Sequence, residues 1–150
     1  LIKKRPVAYW VQHSLAATAE VYLLLYEQAV ADKAPPDRLA ALRQKAAWAC
    51  LGLRRFGGTF AFGKPHALLW DGLRLWLDGK HAAALANWQS CIEVSERQAM
   101  PWEAALARRE IGRHQAPGPD QAATLQRARA DLQALGATWD LALCDKARTP

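Results

Sequence analysis

The residues able to do chemistry are few, and their spacing argues against a catalytic centre. The four histidines are His13, His66, His81 and His114. None is followed four residues later by another histidine, and no HExxH sequence occurs, so the helical zinc-hydrolase pattern is missing. Cys50, Cys91 and Cys144 form no CxxC and have no histidine at ligand spacing. They read as small buried hydrophobes of a reducing compartment. Asp71 and Asp78 fall near one helix face, but no third acid joins them. Ser14, Ser90 and Ser95 lack the sharp glycine-flanked turn that exposes a nucleophilic serine. The glycines read as helix ends or helix contacts rather than a phosphate cradle. The expectation is no metal, no cofactor and no enzymatic activity.

Those residues sit on helices. Pro6 opens a first helix over about 7–31, with Val11, Leu15, Thr18, Tyr22, Tyr26 and Ala29 at steps of three and four. Pro35-Pro36 breaks it. A second helix, about 37–56, carries Leu39, Leu42, Ala46, Ala49, Leu53 and Phe56, and Gly57-Gly58 stops it. Thr59 to Lys64 reads as an extended connector with Phe60 or Phe62 plugging the core. Helix three, 65–78, opens on Pro65 and ends at Gly79, the left-handed residue after a helix. Helix four, 80–98, puts Ala84, Trp88, Cys91 and Ser95 on one face. Pro101 opens helix five, to about 115, and Pro117-Gly118-Pro119 is a loop. Helix six, 120–135, carries Leu125, Ala128, Leu132 and Leu135 and ends at Gly136. Thr138 is the expected N-cap of a short last helix, 139–147. No stretch reads as a strand.

The 150 residues are 51% hydrophobic, which suits a folded helical domain rather than a disordered one. No apolar run is long enough for a transmembrane helix. The start, Leu1-Ile2-Lys3-Lys4-Arg5-Pro6, has no apolar core or cleavage site of a signal peptide. It also lacks an initiator methionine, so the chain is expected to be part of a longer one. Net charge is +6, but the basic residues are scattered, which favours a solvated surface over a nucleic-acid footprint.

The helices pair as one with two, three with four, five with six. Gly72 and Gly112 lie 40 residues apart; Ala84 with Ala128, and Trp88 with Leu132, lie 44 apart. A period near 40 in helix pairs predicts an all-α, short right-handed α-solenoid of about three antiparallel pairs plus a short C-terminal helix. Helices three and four are expected to cross through Gly72 and Ala84.

The pair formed by helices three and four resembles a tetratricopeptide repeat. With Gly79 on the mid-repeat glycine, Leu68, Gly72 and Leu75 fall on its large, small and tyrosine positions. Ala84, Trp88 and Cys91 then fall on its alanine, large aromatic and later small positions. A wider resemblance is carried by Ala19-Glu20-Val21-Tyr22-Leu23, Lys64-Pro65-His66-Ala67-Leu68-Leu69-Trp70, Met100-Pro101-Trp102-Glu103-Ala104-Ala105 and Glu110-Ile111-Gly112-Arg113-His114. These segments resemble the C-terminal helical-repeat region of large bacterial signalling proteins. Such proteins carry a class III adenylate/guanylate cyclase or kinase domain, then an ATPase domain of the AAA/STAND type, then the repeats. The resemblance implies a single helical-repeat domain that is cytoplasmic, regulatory and non-catalytic. This chain has no Walker A loop and no cyclase carboxylates.

In tetratricopeptide stacks the first helix of each pair lines the concave groove. The resemblance therefore implies a partner-binding groove of His66, Leu69, Leu73 and Trp76 from helix three, with Leu106, Arg109 and Arg113 from helix five. An apolar floor rimmed by arginine suits a protein or peptide carrying an acidic group, including another domain of the same full-length chain. Charge reversal at Arg109 and Arg113 is expected to leave folding intact. Trp76 and Leu77 could instead pack against a neighbouring repeat, or the apolar surface could be covered by a second copy of the chain. The alternatives are a helical dimerisation domain and a nucleic-acid-binding repeat. The latter needs base-reading side chains at fixed positions in every repeat, and no such periodic set occurs.

Overall fold

The computed structural model describes residues 10–148, with side chains as far as residue 144. Within those residues the chain is all-α, with no strand. The helices are α1 (Val11–Ala31), α2 (Pro36–Thr59), α3 (Lys64–Leu77), α4 (His81–Arg97), α5 (Pro101–His114), α6 (Pro119–Ala134) and α7 (Thr138–Arg148). The expected start of helix one at residue 7 lies outside the described residues. Prolines sit in the first turn of α2, α3, α5 and α6, where a helix has no use for their missing N–H.

Four helices end alike. Ala34, Lys80, Met100 and Ala137 each return a backbone N–H to a carbonyl five residues earlier, on Ala29, Leu75, Ser95 and Leu132. The residue before each returning N–H is left-handed: Lys33, Gly79, Ala99 and Gly136. The two glycines are legible in the sequence, whereas Lys33 and Ala99 adopt a conformation their types disfavour. Thr138 is the first residue of α7 rather than its cap.

Three expectations change. Gly57-Gly58 does not stop α2, which runs on to Thr59; glycine weakens a helix without ending it. The connector is not extended throughout, because Ala61–Gly63 forms a turn of 3-10 helix. Its Phe60 and Phe62 rings lie 4.9 and 5.5 Å from the ring of buried Phe56. The buried stripe of α1 is Gln12, Ala16, Ala19, Leu23, Tyr26 and Ala29, one residue round from the expected stripe over most of its length. Small residues there let α1 approach α2 and α3 closely, so the larger Val11, Leu15 and Tyr22 are only partly covered.

Each helix packs on the next, and the odd-numbered helices also touch one another in order. The core runs through all these contacts, with Leu23, Leu53, Leu69, Trp88, Leu106 and Leu132 almost wholly buried. Ala84 is buried as expected, but the group seated on Gly72 is the Trp88 indole. Gly112 is seated on Leu125, not on Leu132, so the α5–α6 pair does not repeat the register of the α3–α4 pair.

Candidate functional site

The odd-numbered helices bring their side chains to one cleft of about 320 Å³. From α1 come Glu20, Leu24 and Glu27, spaced four and three residues and so on one helix face. Trp70 and Leu73 of α3 and Leu143 of α7 supply apolar wall. Arg109, Glu110 and Arg113 of α5 supply charge.

At its base lies a buried ionic network. Glu110 has no exposed surface. One of its oxygens accepts from Arg109 Nε and Nη2 at 3.2 and 3.0 Å, and the other from Arg113 Nη1 at 3.2 Å. Arg109 Nη1 also donates to Asp140 of α7 at 2.9 Å, and Arg113 Nη2 to Glu27 of α1. Asp140 is held from a second side by the Trp102 indole N–H at 3.1 Å. The network thus ties α1, α5 and α7 together. Burial alone would raise the Glu110 pKa, but Arg113 and Arg109, helped by His114, outweigh it and hold the carboxyl below its ordinary range. Burial raises Glu27, and Arg113 pulls it back only in part. Burial also raises Glu20, which Arg109 offsets incompletely.

Of the seven residues expected to line a groove, Leu73, Arg109 and Arg113 reach this cleft. Of the other four, three are packed inside the fold and Trp76 is half-buried at the edge of the core. Leu69 and Leu106 are core residues, 0% and 1% exposed. His66 is buried, its Nδ1 accepting from Gln12 Nε2 at 2.8 Å and its Nε2 3.5 Å from Glu103. Burial, with a smaller push from His13, lowers its pKa to about 4. Trp76 is stacked between His81 and His114, with ring centroids at 4.0 and 4.2 Å. The arginines are not free rim charges, because the fold itself supplies their carboxylates. An acidic ligand would have to break those pairs.

Sequence reading missed the α1 side of the cleft. Glu20, Leu24 and Glu27 carry a helical spacing, but on α1 the apolar residues fall on several faces and hide it. Among the described residues, no group of three or more His, Cys, Asp or Glu side chains could hold a metal ion. No described helix is long and apolar enough to cross a membrane. Cys50 and Cys91 are buried, and burial pushes both thiols up to about 12, which disfavours the reactive thiolate. No protein-family model matches this chain, and neither a curated protein nor a solved structure matches it.

Proposed function

We propose that the chain is a non-catalytic interaction module: a right-handed α-solenoid of tetratricopeptide type that regulates a larger cytoplasmic bacterial signalling protein by holding a peptide segment. The observation that carries this reading is the cleft, to which α1, α3, α5 and α7 contribute and the even-numbered helices do not. A surface built from the first helix of successive pairs is where a stack of helix pairs presents its concave side. The sequence supplies the repeat pattern around Gly79, and the odd-numbered helices touching in order agree with stacked pairs. The nucleic-acid alternative has less support, since Arg74, Arg108, Arg109 and Arg113 are all paired with carboxylates.

Selection of short peptides from a display library against the 150-residue chain tests the proposal. Enrichment should be lost with Leu24→Ser, a change at a position 42% exposed and so tolerated by the fold. No enrichment, or enrichment indifferent to that substitution, would count against the cleft as the binding surface.

A second reading is self-association. Val21 and Leu25, one turn apart on α1, are 54% and 47% exposed. A concentration-dependent sedimentation coefficient that reverts to the monomer value in Val21→Glu would support it; a monomer at all concentrations would end it.

A further inference from the structure

We infer that the cleft takes a cationic side chain, lysine or arginine, from its peptide partner, and that Glu20 is the carboxylate that meets it. This inference rests on reading the cleft as a peptide-binding surface, and it reverses the charge expected of the ligand.

Both guanidiniums that face the cleft are already engaged. Arg109 donates to Glu110 and Asp140, and Arg113 to Glu110 and Glu27. Glu110 in turn is enclosed and held at both oxygens by its two arginines. What the cleft leaves open is on α1. Glu20 is partly buried, yet no hydrogen bond or ion pair ties its carboxylate to any other described residue; Arg109 acts on it only at longer range. Glu27 pairs with Arg113 through one oxygen, Oε1. The lining holds three carboxylates against two guanidiniums, so it is acidic on a chain whose net charge is +6. That inversion of sign steers cations to this cleft and away from the rest of the surface.

The shape suits the same ligand. Leu24 lies between Glu20 and Glu27 on the α1 face and lines the cleft together with Leu73 and Leu143. A lysine or arginine stem can lie along such an apolar wall while its charged head reaches a carboxylate. A partly buried carboxylate without a donor is unfavourable, and a charge-assisted hydrogen bond to an incoming cation relieves it. The raised pKa of Glu20 has this same origin, burial without enough compensating charge.

Three labelled pools of short peptides, identical except for a central Lys, Gln or Glu among randomised Leu, Phe, Ala and Ser, test the inference by fluorescence anisotropy on the whole chain. The Lys pool should bind about tenfold more tightly than the Gln pool, which corresponds to about 1.4 kcal/mol. The advantage should shrink in high salt and vanish in Glu20→Gln. Glu20 should also titrate lower, by NMR, when the Lys pool is bound. If the Gln or Glu pool binds as well as the Lys pool, or if the Lys preference survives Glu20→Gln, the inference is wrong while the cleft remains a peptide site. If no pool binds, the peptide-binding reading falls and the inference falls with it.

Discussion

The Trp88 indole occupies the space that a side chain at residue 72 would need. A Cβ placed on Gly72 would lie 2.7 Å from Trp88 Cδ1, while Trp88 Nε1 donates to the Leu69 carbonyl at 3.1 Å. The contact fixes α4 against α3. Gly72→Ala gains about 1 kcal/mol in helix propensity. Against that stand overpacking of about 1–3 kcal/mol and a strained indole hydrogen bond worth about 1 kcal/mol. The expected net loss is about 1–3 kcal/mol, read from urea denaturation. Gly58→Ala, with nothing near its Cβ, should be neutral or stabilising by up to about 1 kcal/mol. Equal effects at the two glycines would contradict the contact.

Arg113 and Arg109 were expected to tolerate reversal, and the structure predicts otherwise. Arg113→Glu would place a third carboxylate beside Glu27 and the enclosed Glu110. Leaving a buried charge uncompensated costs about 3–5 kcal/mol. A large fall in melting temperature is expected, with a similar fall for Arg109→Glu. Arg127, 69% exposed and paired with Asp131, is the comparison: Arg127→Ala should change stability by less than about 0.5 kcal/mol. Wild-type melting of Arg113→Glu would mean that the network does not hold α1 to α5.

The helices were legible because their boundaries are written in proline and glycine. Pro36, Pro65, Pro101 and Pro119 and the left-handed Gly79 and Gly136 mark local backbone states, which depend on neighbours in sequence. The cleft was less legible because its charges pair across distance. Nothing near Arg113 in sequence announces Glu27, 86 residues away, and nothing near Arg109 announces Asp140. Without those partners an arginine on an odd-numbered helix reads as free. The stripe of α1 was misread for a related reason. Its apolar residues cover several faces, and the face that is buried is set by how closely alanines allow α2 and α3 to approach.

Ala99 ends α4 in the left-handed region, with φ 53°. Its Cβ makes that conformation cost about 1–2 kcal/mol, a cost glycine does not carry. Glycine loses more backbone entropy on folding, so the net gain from Ala99→Gly should be about 0.5–1 kcal/mol. The converse change, Gly79→Ala at φ 76°, should cost a similar amount. Thermal melts of the two variants should move in opposite directions, and a fall in both would rule out this account of the helix ends.

Acid should weaken the fold through two histidines. His66 and His114 have pKa values lowered from 6.5 to about 4, burial being the main cause in both. The unfolded chain therefore takes up protons between pH 6.5 and about 4 that the folded chain does not. The stability from keeping these rings neutral is full above pH 6.5 and is lost as pH falls toward 4. For His114 the cause is visible: its Nε2 is buried without a hydrogen-bond partner, and its ring lies against Trp76 and Trp88. Glu20, Glu27 and Glu103 act in the opposite sense, because their raised pKa values favour the folded state as they protonate. The total profile mixes both, so the comparison of variants carries the test. His114→Phe keeps a flat ring in the stack and cannot take a proton. Its urea midpoint should fall less than that of the wild type over this range, by on the order of a few kcal/mol in stability. Parallel profiles would show that His114 is as easily protonated folded as unfolded, and the pH sensitivity would then have to arise elsewhere.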